Sequence, residues 1–257
     1  MAFADQVYLL ARRSVVRTVR QPANVFAPLL FPMLLLAVNS GGLKAETRLP
    51  GFPTNSFVAF ALAVPFIQGA LFATMNAGTD LARDIQTGFL NRLSLTPMRG
   101  IALLAGQLGG VVALGLVQAV VYLSVGLAVG VHFASGVLGV LVLFAFATLV
   151  SLAFGALGTF AALRTGSGEA VQSLFPAFFV FLFISSMNIP RNLIDATWFR
   201  DLATANPVSY LLEAVRSLII IGWDGQALAL GFGIAGAIAV VALTLSTWAL
   251  RGRMARS

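Results

Sequence analysis

Cysteine is absent from the 257 residues, so neither a disulfide framework nor a thiolate metal site can form. Histidine is reduced to His132, which has no acidic neighbours with which to hold zinc. Lysine is reduced to Lys44, and no G-x-x-x-x-G-K-[ST] occurs, so the chain cannot bind and hydrolyse ATP through a P-loop. No H-E-x-x-H and no G-x-S-x-G appears. Charge is scarce at 10% of residues, too little in any stretch to solvate a water-soluble domain. The long apolar blocks carry no Asp, Glu, Lys or Arg at mid-depth, where ion pumps and proton-coupled carriers usually need one. The first residues do not read as a cleavable signal peptide: Asp5 comes early, the arginines come late, and no small-residue cleavage pattern follows.

What remains is 59% apolar, with a mean hydropathy of +0.93, which places the chain in the membrane class. Six blocks are candidates to cross a bilayer: 25–39, 57–77, 101–131, 137–163, 170–187 and 227–250. They are far longer than barrel strands and lack period-two alternation, so the fold expected is all-α and polytopic. The first block holds Pro28 and Pro32, which predicts a kink. The third and fourth, joined by the brief turn 132–136, read as a hairpin. The whole of 1–257 reads as one membrane domain, without internal repeats.

The net charge of +7 follows the edges of the apolar blocks, and no clustered basic face with stacking aromatics points to nucleic acid. With the N-terminus in the cytoplasm, arginines 12, 13, 17, 20, 83, 92, 99, 164, 251, 253 and 256 fall inside. Lys44, Arg48, Arg191, Arg200 and Arg216 fall outside, a bias of about two to one. Both termini are then cytoplasmic, and an odd number of spans would move the C-terminal arginines to the wrong side. Residues 1–22 read as an interfacial helix on membrane lipid, with Val7, Tyr8, Ala11, Val15 and Val19 on one face and Arg13, Arg17 and Arg20 on the other.

Two segments are neither span nor simple loop. Residues 78–99 form a polar, mixed-charge loop. A helix over 79–95 would align Ile85, Phe89 and Leu93 in one row, with Asp84 and Arg92 able to pair at its rim and Gly88 permitting close backbone approach. Such a row suits a cleft on another protein; lipid headgroups would also receive it. Residues 188–226 are too polar to span and too apolar for a free loop. Asn206-Pro207 breaks them, and Leu211, Leu212, Val215, Leu218 and Ile219 form a stripe after the break, with Glu213 and Arg216 off it. That pattern predicts a re-entrant helical hairpin packed on protein.

The stretch DIQTGFLNRLSLTPMR at 84–99, the stretch NPVSYLLEAVR at 206–216 and the order of elements over nearly the whole chain together resemble the type-2 ABC export permeases. Among these they resemble the daunorubicin-resistance-like group of drug and lipid exporters. The chain departs from the pattern in opening the first stretch with Asp-Leu-Ala-Arg-Asp, and in having Val208 where a larger residue is usual. The resemblance implies a transmembrane subunit of an exporter in a bacterial cell membrane, working as a pair with a second permease copy or a sister chain. It also implies a cytoplasmic ABC ATPase subunit on a separate chain, holding the ATP and magnesium; no cofactor is expected on this chain. Asp84, Ile85, Gly88, Phe89, Arg92, Leu93 and Pro97 would meet that ATPase. Arg164 and Glu169 would form a second contact or a plain connector. Asn206, Pro207, Tyr210, Glu213 and Arg216 would form the re-entrant signature.

In resembling exporters Gln68, Phe72, Phe179, Phe183 and Met187 would line a central cavity suited to an amphiphile; phenylalanine-rich helices facing lipid are the other reading. The other polar span residues, among them Asn76, Gln118 and Tyr122, suit hydrogen bonds between helices, worth about 0.6 kcal/mol each. Gly106-x-x-x-Gly110 and Gly126-x-x-x-Gly130 suit close packing. The exporter reading competes with a non-transporting accessory membrane subunit and with a secondary carrier driven by an ion gradient.

Overall fold

The computed structural model describes residues 3–94 and 100–254, and among them every regular element is helical. Helix α1 (Phe3–Val19) leads into α2 (Pro22–Gly42); α3 (Phe57–Ala61) and α4 (Ala63–Gln86) follow in one run, then the short α5 (Phe89–Ser94). Next come α6 (Gly100–Ala128) and α7 (Gly136–Thr165), the short pair α8 (Gly168–Gln172) and α9 (Phe175–Phe183), then α10 (Thr197–Ala205), α11 (Pro207–Arg216) and α12 (Gly225–Met254). Five helical stretches are long and apolar enough to cross a bilayer: 22–42, 57–86, 100–128, 136–165 and 225–253. The sixth expected crossing is the shorter Gly168–Phe183, which at 1.5 Å per residue spans only about 24 Å of a hydrocarbon core about 30 Å thick.

The run 57–86 is the centre of the subunit, with most of its residues buried. Its closest neighbour is α7. A Cβ on Gly158 would lie 2.0 Å from the Thr74 carbonyl oxygen, and one on Gly78 would lie 2.8 Å from the Gly158 oxygen, so the two backbones touch. Of the two expected small-residue pairs, Gly106 and Gly110 receive Leu10 and Ser14 of α1, not another span. Gly126 receives Leu62, whereas Gly130 sits in the turn at φ +84° with open space around it.

That packing corrects the expected role of α1's faces. The buried side chains of α1 are Gln6, Ser14 and Thr18, small or polar groups that let the helix lie against α6, and Ser14 Oγ donates to the Gln107 carbonyl at 3.1 Å. Tyr8 and Val19, from the expected apolar face, are exposed, as lipid contact requires.

Both prolines of α2 delete a backbone donor, which frees the carbonyl four residues earlier. Pro28 frees Asn24, and Asn76 Nδ2 of α4 donates to that oxygen at 3.2 Å. Pro32 frees Pro28, and the fully buried Tyr122 of α6 donates its hydroxyl there at 2.7 Å. The interhelical hydrogen bonds expected of Asn76 and Tyr122 therefore satisfy the two carbonyls that the prolines free. Removing the hydroxyl in Tyr122→Phe is expected to destabilise the protein by about 1–2 kcal/mol. Ser124→Ala, which loses only a bond to its own helix, should stay within about 0.5 kcal/mol. Thermal unfolding in detergent reads both.

Candidate functional site

At one end of the bundle the described part of the segment, 79–94, is two helices, not the single one expected over 79–95. α4 runs to Gln86, Gly88 turns the chain at φ +69°, and α5 restarts at Phe89. Only glycine adopts that φ without strain, so Gly88 serves as the hinge of a turn; a Cβ there would meet nothing within 4 Å among the described residues beyond its chain neighbours. The row Ile85, Phe89, Leu93 is broken at this point. Ile85 packs on a core cluster, and Leu90, buried at 4% exposure, points inward among the described side chains of α5. Arg92 is exposed. Pro97 lies outside the described residues, as does the side chain of Leu93.

Asp84 does not pair with Arg92 at a rim. It is buried, and α1 reaches across to it. Arg13 grips it with Nη1 on Oδ2 at 2.9 Å and Nη2 on Oδ1 at 2.8 Å, and Arg17 Nη1 adds a bond to Oδ1 at 3.0 Å. Arg17 Nε also meets Asp80 Oδ1 at 3.1 Å. The same Arg13 guanidinium lies 3.8 Å above the centre of the Phe89 ring. The carboxylate side chains are less than a tenth exposed, against 38% for Arg13 and 16% for Arg17. A fork of this geometry fixes register as well as charge. It ties the interfacial helix to the last turn of α4 and the first residue of α5. The signal was present in the sequence, since arginines at 13 and 17 and aspartates at 80 and 84 share the i, i+4 spacing.

The second expected contact lies beside the first. Gly166 ends α7 at φ +68°, and Gln86 Nε2 donates to its carbonyl at 3.2 Å. Arg253 Nη1 takes the Leu163 carbonyl at 3.0 Å. Arg164 and Glu169 are both exposed, with Arg164 5.4 Å from the centre of the Trp248 ring.

At the opposite end the expected hairpin is present as α10 and α11, broken at Asn206. Asn206 Oδ1 caps α11 by accepting from Val208 N at 2.9 Å, Pro207 takes the first helical position, and Tyr210 donates to the Thr204 carbonyl at 2.8 Å. The stripe from Leu211 to Ile219 is buried. Glu213 forms a two-point pair with Arg191, at 2.7 and 2.6 Å. Arg216, expected off the apolar stripe, is nevertheless buried. It is 5% exposed and donates to the carbonyls of Phe60 at 3.1 Å, Ser186 at 2.6 Å and Met187 at 2.6 Å. Ser209 Oγ accepts from Ser186 N at 3.1 Å, and Asn206 Nδ2 donates to the Phe181 carbonyl. These residues together terminate α9 and hold the irregular chain after it.

The cavity candidates divide. Gln68 is fully buried inside the subunit, and neither polar atom of its amide has a hydrogen-bond partner among the described residues. Met187 is 3% exposed and holds Arg216 through its carbonyl. Phe72, Phe179 and Phe183 do come together, in a ladder with Phe31 and Phe175 whose ring centres are 4.6–6.1 Å apart. The sequence reading missed Phe31 and Phe175, because the contacts join α2, α4 and α9.

Residues 5–220 match the family model described as ABC-2 type transporter. The chain is similar to ycf38 of Cyanophora paradoxa, a protein classed by name with the transport permeases, at 23% identity over 84% of this chain and 74% of the relative. It is also similar to the ycf38 proteins of Pyropia yezoensis and Porphyra purpurea. Each is 25% identical, over 83% and 82% of this chain and 74% and 73% of the relative.

Asp84→Ala takes away the carboxylate that Arg13 grips, leaves Arg17 with Asp80 alone, and is expected to cost about 2–4 kcal/mol. Asp201→Ala, on the exposed face of α10, should stay within about 0.5 kcal/mol. Denaturant titration of the detergent-solubilised protein distinguishes the two.

Proposed function

The chain belongs to the ABC-2 type transporter family, and on that premise we propose that it is the transmembrane permease subunit of an ATP-driven exporter. Its cargo is a hydrophobic or amphiphilic molecule, of the class of drugs, secondary metabolites, lipids or lipid-linked glycans, moved out of the cytoplasm or the inner leaflet. The setting is a bacterial cell membrane, with both termini cytoplasmic. Hydrolysis takes place on a separate ABC ATPase that carries the ATP and magnesium.

The observation that carries this reading is the clamp of Arg13 and Arg17 on Asp80 and Asp84. It lies where a partner's motion would enter, between the interfacial helix and the turn at Gly88. Gln86 on Gly166 brings the loop 164–169 to the same end, so one ATPase surface would meet both loops. A push on α5 would pass through Phe89 and Arg13 into α1, and through Asp84 into the central helix α4. The cavity would then switch between inward and outward access. Such a switch moves cargo only if the two states bind it unequally. The phenylalanine ladder supports a wall shared with a second permease copy.

Affinity capture of the tagged protein from its native membrane tests the reading. We expect a P-loop ATPase to be recovered with it, and Phe89→Asp or Arg92→Glu to lose that ATPase without loss of membrane insertion. Asp84→Ala should keep the ATPase and lose most transport per ATP hydrolysed. Uphill transport by the purified permease alone, in sealed vesicles, overturns the proposal.

A further inference from the structure

At the end opposite the arginine clamp a cavity of about 560 Å³ opens between the loop before α3, the segment after α9, and helices α10 to α12. Five charged side chains line it: Arg191, Arg200, Arg216, Glu213 and Asp224. Both carboxylates are engaged. Glu213 holds Arg191 at two points. Asp224 Oδ1 accepts the backbone N–H groups of Gln226 at 3.0 Å and Ala227 at 3.1 Å, at the start of α12.

Among the described residues neither of the other two arginines is hydrogen-bonded to a carboxylate, and Glu213, held by Arg191, acts on Arg216 only through its field. Arg216 is buried, and its hydrogen-bond acceptors are three backbone carbonyls, which carry no net charge. Each of its two Nη atoms retains a second N–H. Its guanidinium carbon lies 3.6 Å from the centre of the Phe60 ring, on a wall of the same cavity. Arg200, exposed on α10, has no ion pair among the described residues. A guanidinium in a low-dielectric site with neutral partners draws an oxyanion strongly, and the planar fork suits phosphate and carboxylate alike. The volume falls in the range of small-molecule sites and far exceeds an inorganic ion.

The geometry points to a binding site for the oxyanion headgroup of an amphiphile, a phosphodiester or carboxylate held between Arg200 at the rim and Arg216 in the wall. The site is built within one protomer and does not depend on the transport reading.

The test uses full-length protein, stripped of lipid in a neutral detergent, and calorimetric titration with short-chain phosphatidylglycerol or phosphatidylcholine. Phosphatidylglycerol is expected to bind at least about tenfold more tightly. Arg200→Glu should weaken it by about tenfold or more without moving the thermal midpoint. Arg251→Gln, at the far end of α12, should leave it unchanged. Displacement by millimolar inorganic phosphate would assign the site to the oxyanion alone; failure to displace would assign it to the headgroup with its acyl anchor. Equal binding of the two lipids overturns the proposal. So does wild-type affinity in Arg200→Glu, or an equal loss in Arg251→Gln.

Discussion

In hydrocarbon there is no water to replace a missing backbone hydrogen bond, and that constraint organises this subunit. The sequence breaks the rule of continuous helices in three places: at the prolines of α2, after α9, and at the end of α11. Each break is answered by a named side chain from another element. Asn76 and Tyr122 serve the oxygens freed in α2. Asn206, Ser209 and Arg216 serve the chain from Phe181 to Met187. At the third break Ser135 Oγ takes the Leu218 carbonyl at 2.7 Å, so the turn between α6 and α7 closes the re-entrant hairpin. The shorter apolar stretch Gly168–Phe183 can stop early for the same reason. Where the helix stops, α11 supplies the partners that lipid cannot.

Charge follows a second rule: it is kept near the two ends, and there it joins elements. The clamp on Asp80 and Asp84 fastens α1 to α4, and the Arg191–Glu213 pair fastens the segment after α9 to α11. Pairs of this kind contribute modestly to stability once desolvation is counted, but they are exacting about position. They therefore suit parts whose relative placement matters. The membrane interior between them is held by small residues and aromatic contacts.

Much of this was legible from composition and spacing. The apolar blocks matched four of the five long helices within a few residues, the block 57–77 stopped nine short of Gln86, and Asn206-Pro207 marked the break in the hairpin. The buried stripe after it was readable as Leu211, Leu212, Val215, Leu218 and Ile219. What stayed hidden was long-range. Helical periodicity extends through Gly88, and the left-handed turn there comes from the tertiary setting. The wheel of α1 showed its greasy side but could not show that the packed side is Ser14 and Thr18 against glycines of α6. Arg216 was readable only as a residue off the apolar stripe, because nothing local reveals that three distant carbonyls need it. Gln68 was placed in a cavity by the family resemblance, yet it is sealed within its own chain. Only the spacing shared by Arg13, Arg17, Asp80 and Asp84 offered a clue that was not taken.

The crossing of Gly78 and Gly158 has a mechanical consequence. With backbone against backbone and no side chain between them, α4 and α7 cannot slide past each other by exchanging rotamers, as helices separated by leucines can. They form a single beam. Bending in this subunit is thereby displaced to its periphery, to the proline-jointed α2, the glycine elbow before α5 and the stub of α9.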